Sequence, residues 1–311
     1  LEQIEQTAAA LLQRYQLSGI GIGFGGPVDA ARGRVLKSHQ IDGWEGVELG
    51  AWCEQRFRLP TRIGNDCDAA ALAEATYGAG RRRRRVFYVT VGTGVGGGLV
   101  VDGQLQGQGR PAIAEIGHLR PGLHADRPEA TVEAIASGRG IEQEARTRIS
   151  GDVSLHFSAS RRDLRLTSTD RPRGGVAPAD ELEEEFKHDL LNRADGYLDG
   201  LTTQMIAQAA SEGNRIAADV LHHACQVLGW AIAQAITLLA PEVVVIGGGV
   251  SLMGDEWFFQ PVREAVSQYV FPPLRESYRI IPATLGEEVV VYGAIALAAS
   301  ADGQQGGEFR Q

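Results

Sequence analysis

Val86-Phe87-Tyr88-Val89-Thr90-Val91 runs straight into Gly92-Thr93-Gly94-Val95-Gly96-Gly97-Gly98 and resumes as Leu99-Val100-Val101. The first six residues carry no charge and are rich in β-branched and aromatic side chains, the composition of a strand buried on both faces. The glycines that follow let the backbone turn tightly and approach another group closely. Asp102-Gly103 closes the segment with a hairpin signal.

The same pattern recurs on either side. Gly19–Phe24 reads as a short alternating strand that ends in the turn signal Gly25-Gly26-Pro27. Thr61–Gly64 reads as a strand running into Asn65-Asp66-Cys67-Asp68, after which Ala69–Tyr77 is a strong helix former stopped by Gly78 and Gly80. Glu242–Ile246 is a buried strand meeting Gly247-Gly248-Gly249, and 279–282 is extended. Periodicity predicts helices over 3–16, 47–57, 129–145, 181–195, 215–239, 256–269 and 291–299. The polar stretch 146–180 receives no assignment. Helices alternating with apolar strands argue an α/β fold with helices on the sheet faces.

At 311 residues the chain is long for one core, and two lobes are expected. Apolar residues make up 43% and charged residues 22%, which excludes wholesale disorder. Forty glycines are nearly twice the usual share of about 7%, without the triplet period of collagen. Thirty Lys and Arg against 39 Asp and Glu give a net charge of −9, a poor starting point for a nucleic-acid binder. The one dense basic run, Arg81–Arg85, reads as a solvated linker. Cys53, Cys67 and Cys225 form neither a disulfide framework nor a metal-binding pair, as in a reducing, cytoplasmic setting. No uninterrupted apolar run suggests a membrane span.

Several residues are candidates for chemistry. The Gly92–Gly96 turn offers backbone N–H groups and the Thr93 hydroxyl to a phosphate, although a plain hairpin would look similar. Gly247–Gly249 suits close packing against a nucleobase or ribose, or simply a tight turn. Asp66 sits where a helix starts: it either caps that helix or, ionised, acts as a general base toward a hydroxyl. Glu115 and His118 are three apart and suit hydroxyl groups or a metal ion. Glu133 alone reads as a charge on a helix face.

Taken in order, Gly19–Asp29, Asn65–Asp68, Gly92–Gly98, Ala114–His118, Glu133 within Val132–Gly138, and Ile246–Val250 resemble the motifs of the ROK family of sugar kinases and repressors, within the actin-like ATPase superfamily. The resemblance implies two ribonuclease-H-like α/β lobes around a central cleft. It places residues 1–85 with 290–311 in one lobe and 86–289 in the other, with hinges near 80–86 and 286–290. It implies phosphoryl transfer from ATP with Mg²⁺ to a hexose hydroxyl, as in glucokinases, by a homodimer; a cytoplasmic setting with no nucleic-acid or membrane partner is the expectation from the charge, the cysteines and the lack of an apolar span. By position, Asp66 would be the general base, Asn65, Glu115, His118 and Glu133 would hold sugar hydroxyls, and Thr93, Gly94 and Gly248 would meet the nucleotide. The sugar's identity would rest on 38–48 and 119–131.

The chain departs from the family pattern in three ways. The N-terminal D-x-G-G-T-K phosphate hairpin is absent from the sequence, which is expected to lack its first several dozen residues. The cysteine cluster that holds structural zinc in many members is missing from Pro121–Ala130, where His124 stands alone, so no such zinc is expected. Asp68 replaces a second Asn and is expected to raise the pKa of one carboxyl near the base. A sugar-binding regulator without catalysis is the alternative function, and a metal-dependent hydrolase using Glu115 and His118 a third.

Overall fold

A computed structural model describes residues 1–38, 41–107, 110, 113–122, 127–151 and 179–303. The first elements are α1 (Glu2–Arg14), β1 (Ile20–Phe24), the ribbon strands β2 (Val28–Asp29) and β3 (Arg34–Val35), α2 (Leu49–Phe57), β4 (Thr61–Asn65) and α3 (Asp66–Thr76). β1 and β4 pair in parallel, with Phe24 opposite Asn65. Phe24, Val28, Val35, Leu49, Cys53, Phe57 and Ile63 form a small core beneath them. α3 begins at Asp66 rather than at Ala69, because the Asn65 side chain accepts the Cys67 N–H and caps the first turn.

The apolar–glycine stretch forms a hairpin. β5 (Arg85–Val91) and β6 (Val95–Val101) are antiparallel, with Val91 opposite Val95, so Gly92-Thr93-Gly94 is the bend. β7 (Gln104–Leu105) extends the hairpin at one edge, and β8 (Val243–Gly247) and β9 (Arg279–Pro282) add in parallel on the other side. The order β7-β6-β5-β8-β9 places three antiparallel strands beside two parallel ones, and every residue of β8 is buried.

One sheet face is covered by α4 (Val132–Ala136), α5 (Gly138–Ser150), α6 (Ala179–Arg193), α7 (Thr203–Ser211), α8 (Arg215–Leu239) and α9 (Gln260–Tyr269), whose apolar stripes share the main core. α8 runs over the predicted residues: Asn214 accepts the Ala217 N–H at its start, and Ala240 ends it with φ +43 before Pro241. Among the described residues it alone is long and apolar enough to cross a membrane, yet 67% of its most apolar window is buried inside the molecule. The opposite sheet face receives α3 through Ala70 and Ala71, and α3 meets α10 (Val289–Gly303) through Ala69 and Leu72. α3 is therefore sandwiched between the five-stranded sheet and α10.

Two expected helices differ in detail. The predicted 129–145 helix is two helices, broken at Ser137 (φ −73, ψ 165). The Ser137 hydroxyl accepts the Gly140 N–H, and this local cap competes with helix continuation. The predicted 256–269 helix opens with a π-wound turn, 255–259. Pro261 has no N–H for the Trp257 carbonyl, which instead faces the Cys225 thiol at 3.6 Å.

Candidate functional site

Three strand ends converge. Asn65 ends β4 and Asp66 follows it, the glycine bend follows β5, and Gly248 follows β8. In α/β folds ligands bind at the carboxyl ends of parallel strands. The glycines of β6 bring these parts together. A Cβ on Gly96 would lie 2.4 Å from the Cys67 sulfur, and one on Gly97 2.5 Å from the Ala114 carbonyl oxygen. Only bare backbone there admits the start of α3 on one face and the Ala114–His118 segment on the other.

At the α3 end, the Cys67 N–H donates to both Asn65 Oδ1 (2.8 Å) and Asp66 Oδ1 (2.9 Å). Asn65 Nδ2 donates to the Gly26 carbonyl at 3.0 Å, leaving its second N–H and one acceptor lone pair for a ligand. The Asp66 carboxylate also accepts the Cys67 thiol, and the helix N-terminus favours negative charge there.

Glu133 is fixed differently from a surface charge. Thr131 caps α4, and the Val132 N–H donates to the Leu119 carbonyl, tying this helix to the His118 turn. Glu133 Oε2 accepts the Val95 N–H at 2.9 Å, directly behind the bend. The break at Ser137 frees the Gly138 N–H to donate to the Gly92 carbonyl at 2.7 Å. The bend is thus held from behind at both shoulders. Thr93 at its tip is exposed, and the amides of Thr93 and Gly94 have no hydrogen-bond partner among the described residues. Free N–H groups in a fixed turn are the donor set an anionic phosphate requires. Gly248 (φ +88, ψ 162) lies over the end of β5, where a Cβ would come 2.5 Å from the Val91 carbonyl oxygen. That backbone region is open essentially to glycine alone.

The carboxyl groups form one electrostatic cluster. Glu115 is pushed above the usual carboxylate range by desolvation and by Asp66 and Glu133, against the opposing pull of His118. Asp68 is pushed up to about 6 by burial, by Glu115 and by Asp66. Asp68 is therefore a raised carboxyl at this site. The Cys67 thiol is held far above its ordinary value by burial and by the same carboxylates, which keeps it protonated and poorly nucleophilic. Asp68 has a consequence for stability. A carboxyl whose folded pKa exceeds its unfolded value binds more protons in the folded state, so stability falls as pH rises from about 4 to about 6. Asp68→Asn is expected to remove that loss, raising stability at pH 8 by on the order of 3 kcal/mol. Thermal melts of both proteins at pH 5 and pH 8 check this: the variant's advantage must be larger at pH 8.

Ala114 adopts φ +58, and its carbonyl accepts the Ile116 N–H at 2.7 Å across the turn that presents Glu115. A left-handed non-glycine residue costs about 1–2 kcal/mol, partly offset by the unfolded-state entropy of glycine, about 0.4–1 kcal/mol. Ala114→Gly is expected to raise the urea midpoint at unchanged m; a lower midpoint contradicts the strain.

A cavity of about 340 Å³ lined by Ala30–Gly33, Gly50, Ala51, Glu54 and Pro60–Arg62 lies at the opposite end of β4 and shares no residue with the site. Among the described residues no group of three or more His, Cys, Asp or Glu side chains is placed to hold a metal ion. His124 lies outside the described residues. Sequence reasoning missed the Ser137–Gly138 support, whose signal was a cap residue followed by glycine. It also missed Arg120, whose guanidinium donates to the His118 and Pro128 carbonyls at 2.7–3.0 Å.

The whole chain is similar to known proteins. The glucokinase of Thermotoga maritima is 28% identical over 298 residues, covering 96% of this chain and 84% of that protein. A xylose repressor of Caldicellulosiruptor bescii is 27% identical, covering 91% of this chain and 62% of that protein. The crystal structure of a ROK family glucokinase from Streptomyces griseus with glucose and AMPPNP superposes with a TM-score of 0.70 at 28% identity, covering 96% of this chain and 88% of that one. The architecture is that of the actin-like ATPase fold. The pattern of the ROK family matches residues 1–301, and the chain belongs to that family.

Proposed function

We propose that the protein is a sugar kinase that transfers a phosphoryl group from ATP, with Mg²⁺, to a hydroxyl of a hexose such as glucose. The observation that carries this reading is the meeting of a carboxylate at a helix N-terminus, Asp66, with a glycine bend whose tip amides are free. Relatives named glucokinase support it. ATP supplies the transferable phosphoryl group, and the bend is suited to hold its phosphates. Thr93 and Gly94 donate to the phosphate oxygens, and Gly248, having no side chain, leaves room for the adenosine. Asn65, Glu115, His118 and Glu133 supply the mixed donors and acceptors that a buried polyhydroxylated ring needs. Asp66 Oδ2 accepts the proton of the hydroxyl that attacks. Phosphoryl transfer asks little more of a protein than positioning, charge stabilisation and one base.

Residues 1–85 with 290–311 form one lobe in this reading and 86–289 the other. The site lies in the cleft between them, and closure excludes water. The active species is a homodimer, which sedimentation of the purified protein tests. The test of function is ADP release coupled to a hexose panel in the presence of Mg²⁺. Sugar-dependent release supports the reading, and none with any sugar overturns it. The second reading, a sugar-binding regulator, is favoured by relatives named repressors. It requires hexose binding without Mg²⁺–ATP binding, which calorimetry decides.

A further inference from the structure

Glu74 is completely buried near the C-terminal end of α3, and its carboxyl group lies among donors from two distant parts of the chain. Oε1 accepts the N–H groups of Thr284 and Leu285 at 2.8 and 2.9 Å. Oε2 accepts the Ala79 N–H at 2.7 Å and the Thr284 hydroxyl at 3.3 Å. Ala79 lies on the connection from α3 to β5, and Thr284 and Leu285 on the connection from β9 to α10. These are the two crossings between the proposed lobes, and one side chain ties them together. Burying a carboxyl group is costly unless its oxygens are bonded. Here four donors satisfy it, three of them backbone N–H groups.

Asp66 is the first residue of the same helix, eight positions before Glu74. At 1.5 Å per residue the two lie about 12 Å apart along one rigid rod. A swing of the helix by about 5° around Glu74 moves Asp66 by about 1 Å, and a misplacement of that size costs on the order of 10²-fold in rate. We propose that Glu74 is the pin of the hinge: a positioning residue that joins both crossings and, through α3 as a lever, sets Asp66 against the glycine bend. This rests on the reading of Asp66 as the base of a sugar kinase.

Glu74→Gln keeps an oxygen for Thr284 and Leu285 and turns an amide toward the Ala79 N–H, donor against donor. The expected result at low temperature, with the variant fully folded, is a 10- to 100-fold loss of kcat with hexose and nucleotide KM within about threefold. In an Asp66→Asn background the same substitution should cost less than threefold, because a misplaced base that is already absent cannot be lost again. Equal losses in both backgrounds overturn the proposal, since a purely structural defect ignores the base. Amide hydrogen exchange tests the pin without activity. Exchange should rise together at Ala79, Thr284 and Leu285 and at the start of α3; a rise confined to Ala79 overturns the pin. Should the wild type show no sugar-dependent turnover while exchange behaves as expected, the kinase reading fails and the hinge pin stands. If Glu74→Gln does not fold, Thr284→Val, which removes only the hydroxyl contact, carries the same cycle with an expected two- to fivefold loss.

Discussion

Replacing Asp66 with Asn is expected to lower kcat by about 10²- to 10⁴-fold, the usual worth of a general base, while the dissociation constant for hexose stays within a few-fold. The substitution is nearly isosteric. The amide side chain retains an oxygen in the place of Oδ1 to accept the Cys67 N–H, so the cap geometry and the seat of α3 on Gly96 survive. What is lost is the basic oxygen, which becomes an amide nitrogen that cannot take a proton. The effect should therefore fall on kcat and kcat/KM equally, the signature of an interaction made only in the transition state. Hexose titration calorimetry and steady-state turnover of the same preparation separate the two quantities. Wild-type turnover in the variant refutes Asp66 as base, and lost hexose binding with a native melting curve makes it a sugar ligand instead.

Much of this site was legible in the chain because its constraints are local. The run Val86–Val101 announces a hairpin, and Gly92–Gly94 its bend, because strand burial and tight turning are written in neighbouring residues. The 215–239 helix was equally plain, since its buried stripe, its Asn214 cap and Pro241 all lie within one segment. Glu133 was picked out only through the family resemblance, and Glu74 not at all. Each looks like an ordinary helix-surface charge in sequence, and each is defined by partners far away. Val95 is 38 residues from Glu133, and Thr284 is 210 residues from Glu74. The same reason hid the break at Ser137, where a helical pattern was interrupted so that one freed amide could reach Gly92. Asp68 shows the intermediate case. The extra charge was visible in Asn65–Asp68, but which carboxyl would be raised depended on Glu115, brought near by the fold.

The bend and the Glu133 carboxylate are one mechanical unit, and Gly94→Ala is the substitution that exposes it. A Cβ at Gly94 would lie 2.5 Å from Glu133 Oε2, closer than real atoms approach. The backbone of Gly94 lies outside the left-handed region, so the clash and not the torsion angle decides the outcome. The flexible partner must yield, and Glu133 leaves the Val95 N–H. A hydrogen bond to a charged group is worth about 1.5–3 kcal/mol. Its loss, at about 1.4 kcal/mol per tenfold, predicts a fall of about 10- to 140-fold in kcat/KM for nucleotide and for hexose alike. A residue that touched only phosphate would move the nucleotide term alone. Gly94→Ala combined with Glu133→Ala should be far from additive, because either change already breaks the same contact. Additive losses, or a loss confined to nucleotide, would show that Glu133 serves the sugar independently of the turn that it supports.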